Sequence, residues 1–347
     1  MSAPQGRRLI LVVGVYRSGT SVVAGILGQV GFHLPQPEVT ANETNPRGFG
    51  EPRWVVDFHH RLLRSWRVTV HDARPAAWEA THAAGEEPAV REELEGWLAG
   101  ELAHGDVVVV KDPRTLWFLP LWTSAAAALG AQTLYVTTLR HPAETLMSAR
   151  RAYGDWQSDA SRAAAWLNLI LETERETRGA PRAFVRYQDV VADWPRETQR
   201  IGETLGLPVL ATADHERFPQ VDAFVDPTLH RNRTRWDELS VPAAVRDMAE
   251  DVWAAMQPLT EPGGGEERVR AALDEARARY ATLYGEAEAI AQSSVTAARP
   301  RRSQGAGAPE GPRPMWVRVA RHVPVRYRRS LRRALGPLSP GRSHGPP

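Results

Sequence analysis

Residues 9–21 read LILVVGVYRSGTS. Residues 9–15 form an apolar, β-branched run of the kind a strand buried on both faces requires. Tyr16, Arg17, Ser18, Gly19, Thr20 and Ser21 follow as a tight polar turn, and residues 22–30 carry apolar side chains at helical spacing. Strand, turn and helix N-terminus in this order aim backbone N–H groups, and the positive end of a helix dipole, at one point. A phosphate or sulfate group suits that point. Gly14 and Gly19 have the G-x-x-x-x-G spacing of a Walker A loop, but that motif continues with Lys and then Ser or Thr. Here Thr20 follows the glycine, and the cation, Arg17, comes earlier. The Walker lysine reaches the outer phosphates of a nucleotide beside magnesium. A cation before the glycine faces the innermost phosphate and the oxygen that leaves from it.

The turn resembles the 5′-phosphosulfate loop of sulfotransferases, which use 3′-phosphoadenosine-5′-phosphosulfate (PAPS). In that family the loop reads roughly [PR]-[KR]-S-G-[TS]-[TS]. Arg17, Ser18, Gly19, Thr20 and Ser21 match it one for one, and Tyr16 replaces the frequent proline. Three further segments extend the resemblance. DVVVV (residues 106–110) reads as a buried parallel strand, and KDPR follows it. Ligands of open α/β sheets sit beyond the carboxyl ends of strands, so Lys111, Asp112 and Arg114 are expected to face the same crevice as the loop. Pro113 stands where the cytosolic enzymes carry their histidine base, so the resemblance implies a base elsewhere. TLYVTTL (133–139) reads as a third strand, leading into Arg140, His141 and a helix with Pro142 in its first turn. Arg140 and Ser148 resemble the family's 3′-phosphate site, in which an arginine fork and a helical hydroxyl hold phosphate oxygens. A strand ending at Tyr187, with Asp189 as helix cap and an amphipathic helix ending near Gly206, resembles the family's Y-x-D-[LV] segment, whose tyrosine lies near the adenine.

These matches cover roughly residues 9–210, and NPRGFGEP (45–52) and FVDPTLHRNR (224–233) look like the bacterial branch that modifies glycans and lipids. The resemblance implies a three-layer α/β sandwich around a central parallel sheet, similar to P-loop NTPases. It implies transfer of a sulfuryl group from PAPS to an acceptor hydroxyl, with no metal required. The distal R-K-G loop of the cytosolic branch is missing, which leaves Arg231, Arg233 and Arg235 as substitutes for it.

Composition bounds the rest. A chain of 347 residues, 42% hydrophobic, can bury a large α/β domain plus an appendage. The absence of cysteine excludes disulfides and thiolate metal sites. With no spanning apolar run and no signal peptide in the first 30 residues, a cytoplasmic location is expected. The chain has 42 arginines and a single lysine, Lys111. A lone lysine invites a chemical role, because its ammonium is compact and can shed a proton.

Residues 32–105 separate the first two strands, far more than a crossover needs, and hold Phe32, Phe49, Trp54, Phe58, Trp66, Trp78 and Trp97. Such aromatics either pack in a core or line an acceptor cleft, where they stack on sugar rings. Helices are expected over 158–178, 241–258 and 265–291, completing a catalytic domain over residues 1–291. Residues 292–314, rich in Pro, Gly, Ser and Arg, read as a disordered linker. Residues 315–347 form a basic tail, in which 315–336 carries seven arginines and no acid among apolar residues. That pattern fits an anionic membrane surface, a solvated tail or an acidic partner. Nothing resembles a base-reading module, so no nucleic-acid partner is expected.

For the general base, Glu51 is the leading candidate, because sulfotransferases outside the cytosolic branch use a glutamate after the first helix. Glu43 is the near rival, and His59 and His60 are more distant ones. Lys111 would hold sulfuryl oxygens or lower the acceptor's pKa. A glycan or glycolipid is the expected acceptor. Two other readings stay open: a P-loop kinase, disfavoured by the missing Walker lysine, and a non-catalytic nucleotide- or glycan-binding protein tethered by its tail.

Overall fold

The structure is a computed structural model that describes residues 6–42, 48–225, 235–261 and 266–298. Four parallel strands make one sheet: β1 (Arg8–Val13), β2 (Val107–Lys111), β3 (Gln132–Leu139) and β4 (Arg182–Arg186), in the order β2-β1-β3-β4. Side chains alternate across a strand, and each strand feeds two separate cores. Leu9, Leu11 and Val13 of β1 enter one core, and Ile10 and Val12 the other. Val108 and Val110 are likewise divided from Val109, and Phe184 from Ala183 and Val185. Such two-sided burial is why these strands read as continuous apolar runs.

Thirteen helices among the described residues cover the two faces. They are α1 (Thr20–Gln29), α2 (Arg53–Ser65), α3 (Ala77–Glu86), α4 (Pro88–Glu101), α5 (Leu119–Ala128), α6 (Pro142–Tyr153) and α7 (Asp159–Glu176). Beyond β4 follow α8 (Tyr187–Ala192), α9 (Trp194–Leu205), α10 (Pro208–Ala211), α11 (Pro219–Phe224), α12 (Ala243–Met256) and α13 (Glu266–Ala298). One core takes α1 and α8 to α11, through residues such as Val23, Leu27, Val190, Ile201, Leu210 and Val221. The other takes α2 to α7, α12 and α13. The result is the expected three-layer α/β sandwich. None of the helices is long and apolar enough to cross a membrane.

The aromatics of the insertion between α1 and β2 mostly pack. Trp78 is buried and stacks on Trp117, with ring centroids 4.1 Å apart. Trp54 stacks on Trp97 at 4.6 Å, and Trp97 meets Trp122 edge-on at 5.9 Å. The insertion is therefore part of the core, and Trp66 is the one tryptophan of it counted among the exposed large side chains. Two local expectations are corrected. Asp189 lies inside the first turn of α8, beside Arg186, while Asp193 caps α9 by accepting from the Arg196 N–H. Gly206 ends that helix at φ 63°, as expected.

The second correction concerns the last helix. Residues 292–298, read as the start of a linker, are the final turns of α13. Ala, Gln, Ser and Val carry no helix-breaking cost there, and the first proline after Pro258 and Pro262 comes only at Pro300. Residues 1–290 form one compact unit, and a second spans 291–347. The rest of the proposed linker and the tail at 315–336 lie outside the described residues. Within the first unit α13 is anchored by Leu273 and Tyr280, whose hydroxyl donates to Ala73 O at 2.5 Å, and by Arg277, which donates to Leu171 O at 2.9 Å. Leu273 is fully buried. Leu273→Ala should therefore cost about 2–5 kcal/mol in denaturant unfolding, whereas Ile290→Ala, at 83% exposure, should change it by less than about 0.5 kcal/mol.

Candidate active site

The chain passes from β1 to β2 on one side and then to β3 on the other, so the crevice between the ends of β1 and β3 is the switch point of the sheet. The loop after β1 lies there. Its first glycine has no alternative: a Cβ on Gly14 would stand 2.5 Å from Thr138 Oγ1 and 2.7 Å from the Thr138 carbonyl oxygen. Ser18 Oγ and Thr138 Oγ1 are 2.7 Å apart and share a hydrogen bond. Gly19, at φ 100°, is the N-cap of α1, and a Cβ on it would meet Tyr187 Cδ2 at 2.2 Å. Arg17 adopts the left-handed region at φ 63°, which costs a non-glycine residue about 1 kcal/mol and is characteristic of binding loops. No side chain caps α1, so its leading N–H groups, those of Thr20 and Ser21, face the loop's concavity, while the Val22 and Val23 N–H groups donate to the Gly19 carbonyl.

The two halves of the expected nucleotide site meet here. Arg17 Nε donates to Ser148 Oγ at 3.2 Å, and Arg140 Nη1 donates to the Arg17 carbonyl at 3.2 Å. The Arg140 guanidinium lies 4.6 Å over the Tyr187 ring, and its Nε donates to Glu144 at 3.1 Å. Its Nη2 is buried without a hydrogen-bond partner among the described residues. A buried guanidinium nitrogen without an acceptor is costly, and a phosphate oxygen would relieve it. Arg17, Ser18, Gly19, Thr20, Arg140, Ser148 and Tyr187 thus share one cradle whose chemistry fits an anion.

Lys111 closes the other flank, at the end of β2. Its Nζ donates to Glu51 Oε1 at 2.6 Å, to the Phe49 carbonyl at 3.0 Å and to Ser21 Oγ at 3.2 Å. Lys111 and Glu51 are both nearly buried, and Arg114 Nη1 stands 3.7 Å from the second Glu51 oxygen. The insertion therefore delivers Glu51 to the rim of the loop after β1.

Asp112 departs from expectation. It turns away from the crevice and is fully buried, with Oδ2 2.6 Å from His59 Nδ1. Burial alone would raise its pKa, but Arg114 and the hydrogen bond from His59 hold it down at about 2. Trp122 Nε1 donates to His59 Nε2 at 3.0 Å. An indole N–H can only donate, so His59 is neutral, with its proton on Nδ1 and shared with Asp112. Burial lowers the His59 pKa against the pull of Asp112. With both nitrogens engaged and no exposure, His59 is not a base for any substrate, which removes one rival. His60 is exposed. Glu43, Arg231 and Arg233 lie outside the described residues. Arg235, exposed, borders a cleft of about 710 Å³ lined also by Glu144, Gln188, Trp236 and Trp253.

Three features were missed from sequence. Thr138 gave one signal, the second of two adjacent threonines near the end of a mostly apolar strand. Glu144 gave one too, four residues after Arg140 on the next helix. His71, whose ring meets Tyr16 edge-on at 4.0 Å, gave none. Exposed Tyr153 and Trp156 flank that imidazole, at 5.6 and 5.8 Å.

The sulfotransferase family profile matches residues 10–214, more than half of the chain. The chain belongs to the sulfotransferase family. No curated protein matches it. Among solved structures it is similar to the sulfotransferase domain of the Synechococcus PCC 7002 olefin synthase, at 18% identity and a TM-score of 0.38, over 72% of this chain and 96% of that one. It is also similar to the sulfotransferase domain of the curacin biosynthetic pathway, at 13% identity and a TM-score of 0.39, over 73% and 99%. Sulfotransferase STF1 from Mycobacterium tuberculosis H37Rv matches at 18% identity and a TM-score of 0.33, over 62% and 77%.

The buried imidazole of His59 and the half-buried one of His71 make stability depend on pH. Burial, then the nearby Arg162 and Arg114, push His71 down to about 4, and burial lowers His59. Both stay neutral in the folded protein below the usual histidine pKa of 6.5, where the unfolded chain takes up protons. For His71, stability is therefore held above pH 6.5 and lost as the pH falls from 6.5 toward 4, at up to about 1.4 kcal/mol per pH unit, and the lowered pKa of His59 acts in the same direction. Urea unfolding at pH 7.5, 6.5, 5.5 and 5.0 should show this decline. His71→Asn should flatten it by about one histidine's share.

Proposed function

We propose that the protein transfers the sulfuryl group of PAPS to an acceptor hydroxyl. The observation that carries this reading is the joining of Arg17 to Ser148 and of Arg140 to the Arg17 carbonyl, with an unpartnered Arg140 nitrogen beside them. One cradle then takes both ends of a nucleotide phosphorylated at 3′ and 5′. The loop N–H groups, Ser18, Thr20 and Ser21 hold the 5′-phosphosulfate. Arg140 and Ser148 hold the 3′-phosphate as a guanidinium fork and a hydroxyl. Tyr187 borders the nucleoside, and the cleft beside Glu144 and Gln188 leaves it room.

In the reaction the acceptor oxygen bonds to sulfur while the bond from sulfur to the 5′-phosphate oxygen breaks. Arg17 and the helix N-terminus neutralise the leaving oxygen, and an ordered donor of this kind is worth about 10²–10³ in rate. Glu51 receives the acceptor proton. Lys111 holds the sulfuryl oxygens and keeps the Glu51 carboxylate at the rim. The structure moves support for a carbohydrate or glycolipid acceptor away from the insertion tryptophans. Tyr153 and Trp156 support it instead, exposed aromatic faces against His71, whose ring meets Tyr16, the neighbour of Arg17.

Without magnesium, adenosine 3′,5′-bisphosphate should raise the melting temperature, because it binds only the folded state, and AMP should do so far less. Equal shifts from the two nucleotides would remove the 3′-phosphate assignment. Arg140→Ala should erase most of the difference. A second test uses radiolabelled PAPS with a panel of hydroxyl acceptors. Glu51→Gln should abolish turnover and leave adenosine 3′,5′-bisphosphate affinity within about threefold, since the base touches the acceptor and not the nucleotide. Glu43→Gln should retain substantial turnover, and the reverse pattern would give the base to Glu43.

A further inference from the structure

His33, Glu101 and His104 meet at the opposite end of the sheet from the anion loop. His33 follows α1 and lies alongside β2, donating its N–H to the Val107 carbonyl at 3.1 Å and accepting from the Val109 N–H at 2.8 Å. Glu101 is the last residue of α4, and His104 lies one turn beyond it. Nε2 of His33 is 2.7 Å from Glu101 Oε2, and the two imidazoles lie nearly parallel with centroids 5.3 Å apart. One nitrogen or oxygen from each of the three side chains lies within 4.8 Å of the other two. Anion transfer uses none of them.

We propose that these side chains form a zinc-class metal site that clips the neck of the insertion. Two observations favour this over an ordinary ion pair. The first is the state of His104. Its Nδ1 is 2.9 Å from the Gly100 carbonyl, and a carbonyl only accepts, so the proton sits on Nδ1. In the neutral ring the Nε2 lone pair is then free for a metal, the arrangement in which a backbone carbonyl orients a ligating imidazole. The second is the place in the chain. His33 and Glu101 are 68 residues apart and stand at the two ends of the insertion that carries Glu51. A clip that closes a long loop removes the most chain entropy.

The donor set selects the ion. Two imidazoles and one carboxylate suit zinc and its first-row neighbours, whereas calcium and magnesium prefer oxygen alone. Tetrahedral zinc with bonds of about 2.0–2.2 Å needs donors roughly 3.3 Å apart, with water as the fourth ligand. The His33–Glu101 pair must therefore open slightly and His104 must close in. His104 is exposed and can swing inward about its Nδ1 hydrogen bond to Gly100, and the backbone bonds of His33 hold the other side fixed. The ion's role is structural, because it lies at the N-terminal end of β2 and Lys111 ends that strand.

The test uses the full-length protein, stripped with EDTA and free of any histidine tag. Zinc chloride titration should give one ion per chain and a melting temperature raised by several degrees. Cobalt(II) should give the visible bands of a tetrahedral site. His104→Ala and His33→Gln should each weaken zinc at least about tenfold, with the metal-free melting temperature of His104→Ala unchanged. Absence of zinc heat and cobalt bands would overturn the proposal. So would equal zinc affinity in the His33→Gln/His104→Ala double variant, which would place the ion on other histidines.

Discussion

Thr138 lies so close to Gly14 that no side chain fits between them. That approach brings the loop after β1 against the end of β3 and allows the Ser18–Thr138 hydrogen bond. From it the rest of the candidate site follows. The loop is held open in front of an uncapped helix N-terminus, Arg17 is forced into the left-handed region, and its carbonyl turns toward Arg140. Gly19 meets the same constraint from the other side, because the Tyr187 ring fills the space where its Cβ would be. Two glycines thus let three separated segments converge on one point. A larger residue at either place would separate the loop from the arginine that completes it.

Two neighbouring residues of one strand end, Lys111 and Asp112, are sorted into different tasks by burial and partners. Lys111 joins Glu51, Ser21 and the Phe49 carbonyl at the rim of the loop. A compact ammonium with three donors fits these three acceptors, and a planar guanidinium fork would not, which gives a physical reason for one lysine in a chain of 42 arginines. Asp112 instead points into the core and fixes a neutral His59 under Trp122. Arg114 reaches both carboxylates. Removing one partner from such a buried network leaves an uncompensated charge, so the rim and the core beneath it are coupled.

The insertion between α1 and β2 is a layer of the core and not an appendage. Trp54, Trp97 and Trp122 stack α2, α4 and α5 together, and this packing sets the height at which Glu51 reaches Lys111. Its two ends meet at His33 and Glu101, at the other end of the sheet. The insertion is thus held at both ends, and its middle is free to present a carboxylate at the crevice.

The order of strand, polar turn and helix was legible in residues 9–21, because a doubly buried strand and a glycine-bearing turn leave strong local marks. Arg140, Ser148 and Tyr187 were legible for a similar reason: each sits at a fixed offset from a strand end. Family membership followed from those offsets. What sequence could not decide was which groups touch. His59 and Glu51 were both candidate bases by sequence, and packing gave them different surroundings, His59 beneath Trp122 and Glu51 against Lys111. Whether the tryptophans of the insertion faced a ligand or one another was equally undecided, since an aromatic stripe at helical spacing serves either use. Local chemistry determined the elements and the glycine-bearing loop after β1. Long-range contacts, some spanning more than a hundred residues, decided the partners, because burial and charge pairing are properties of the folded chain and leave no mark on spacing.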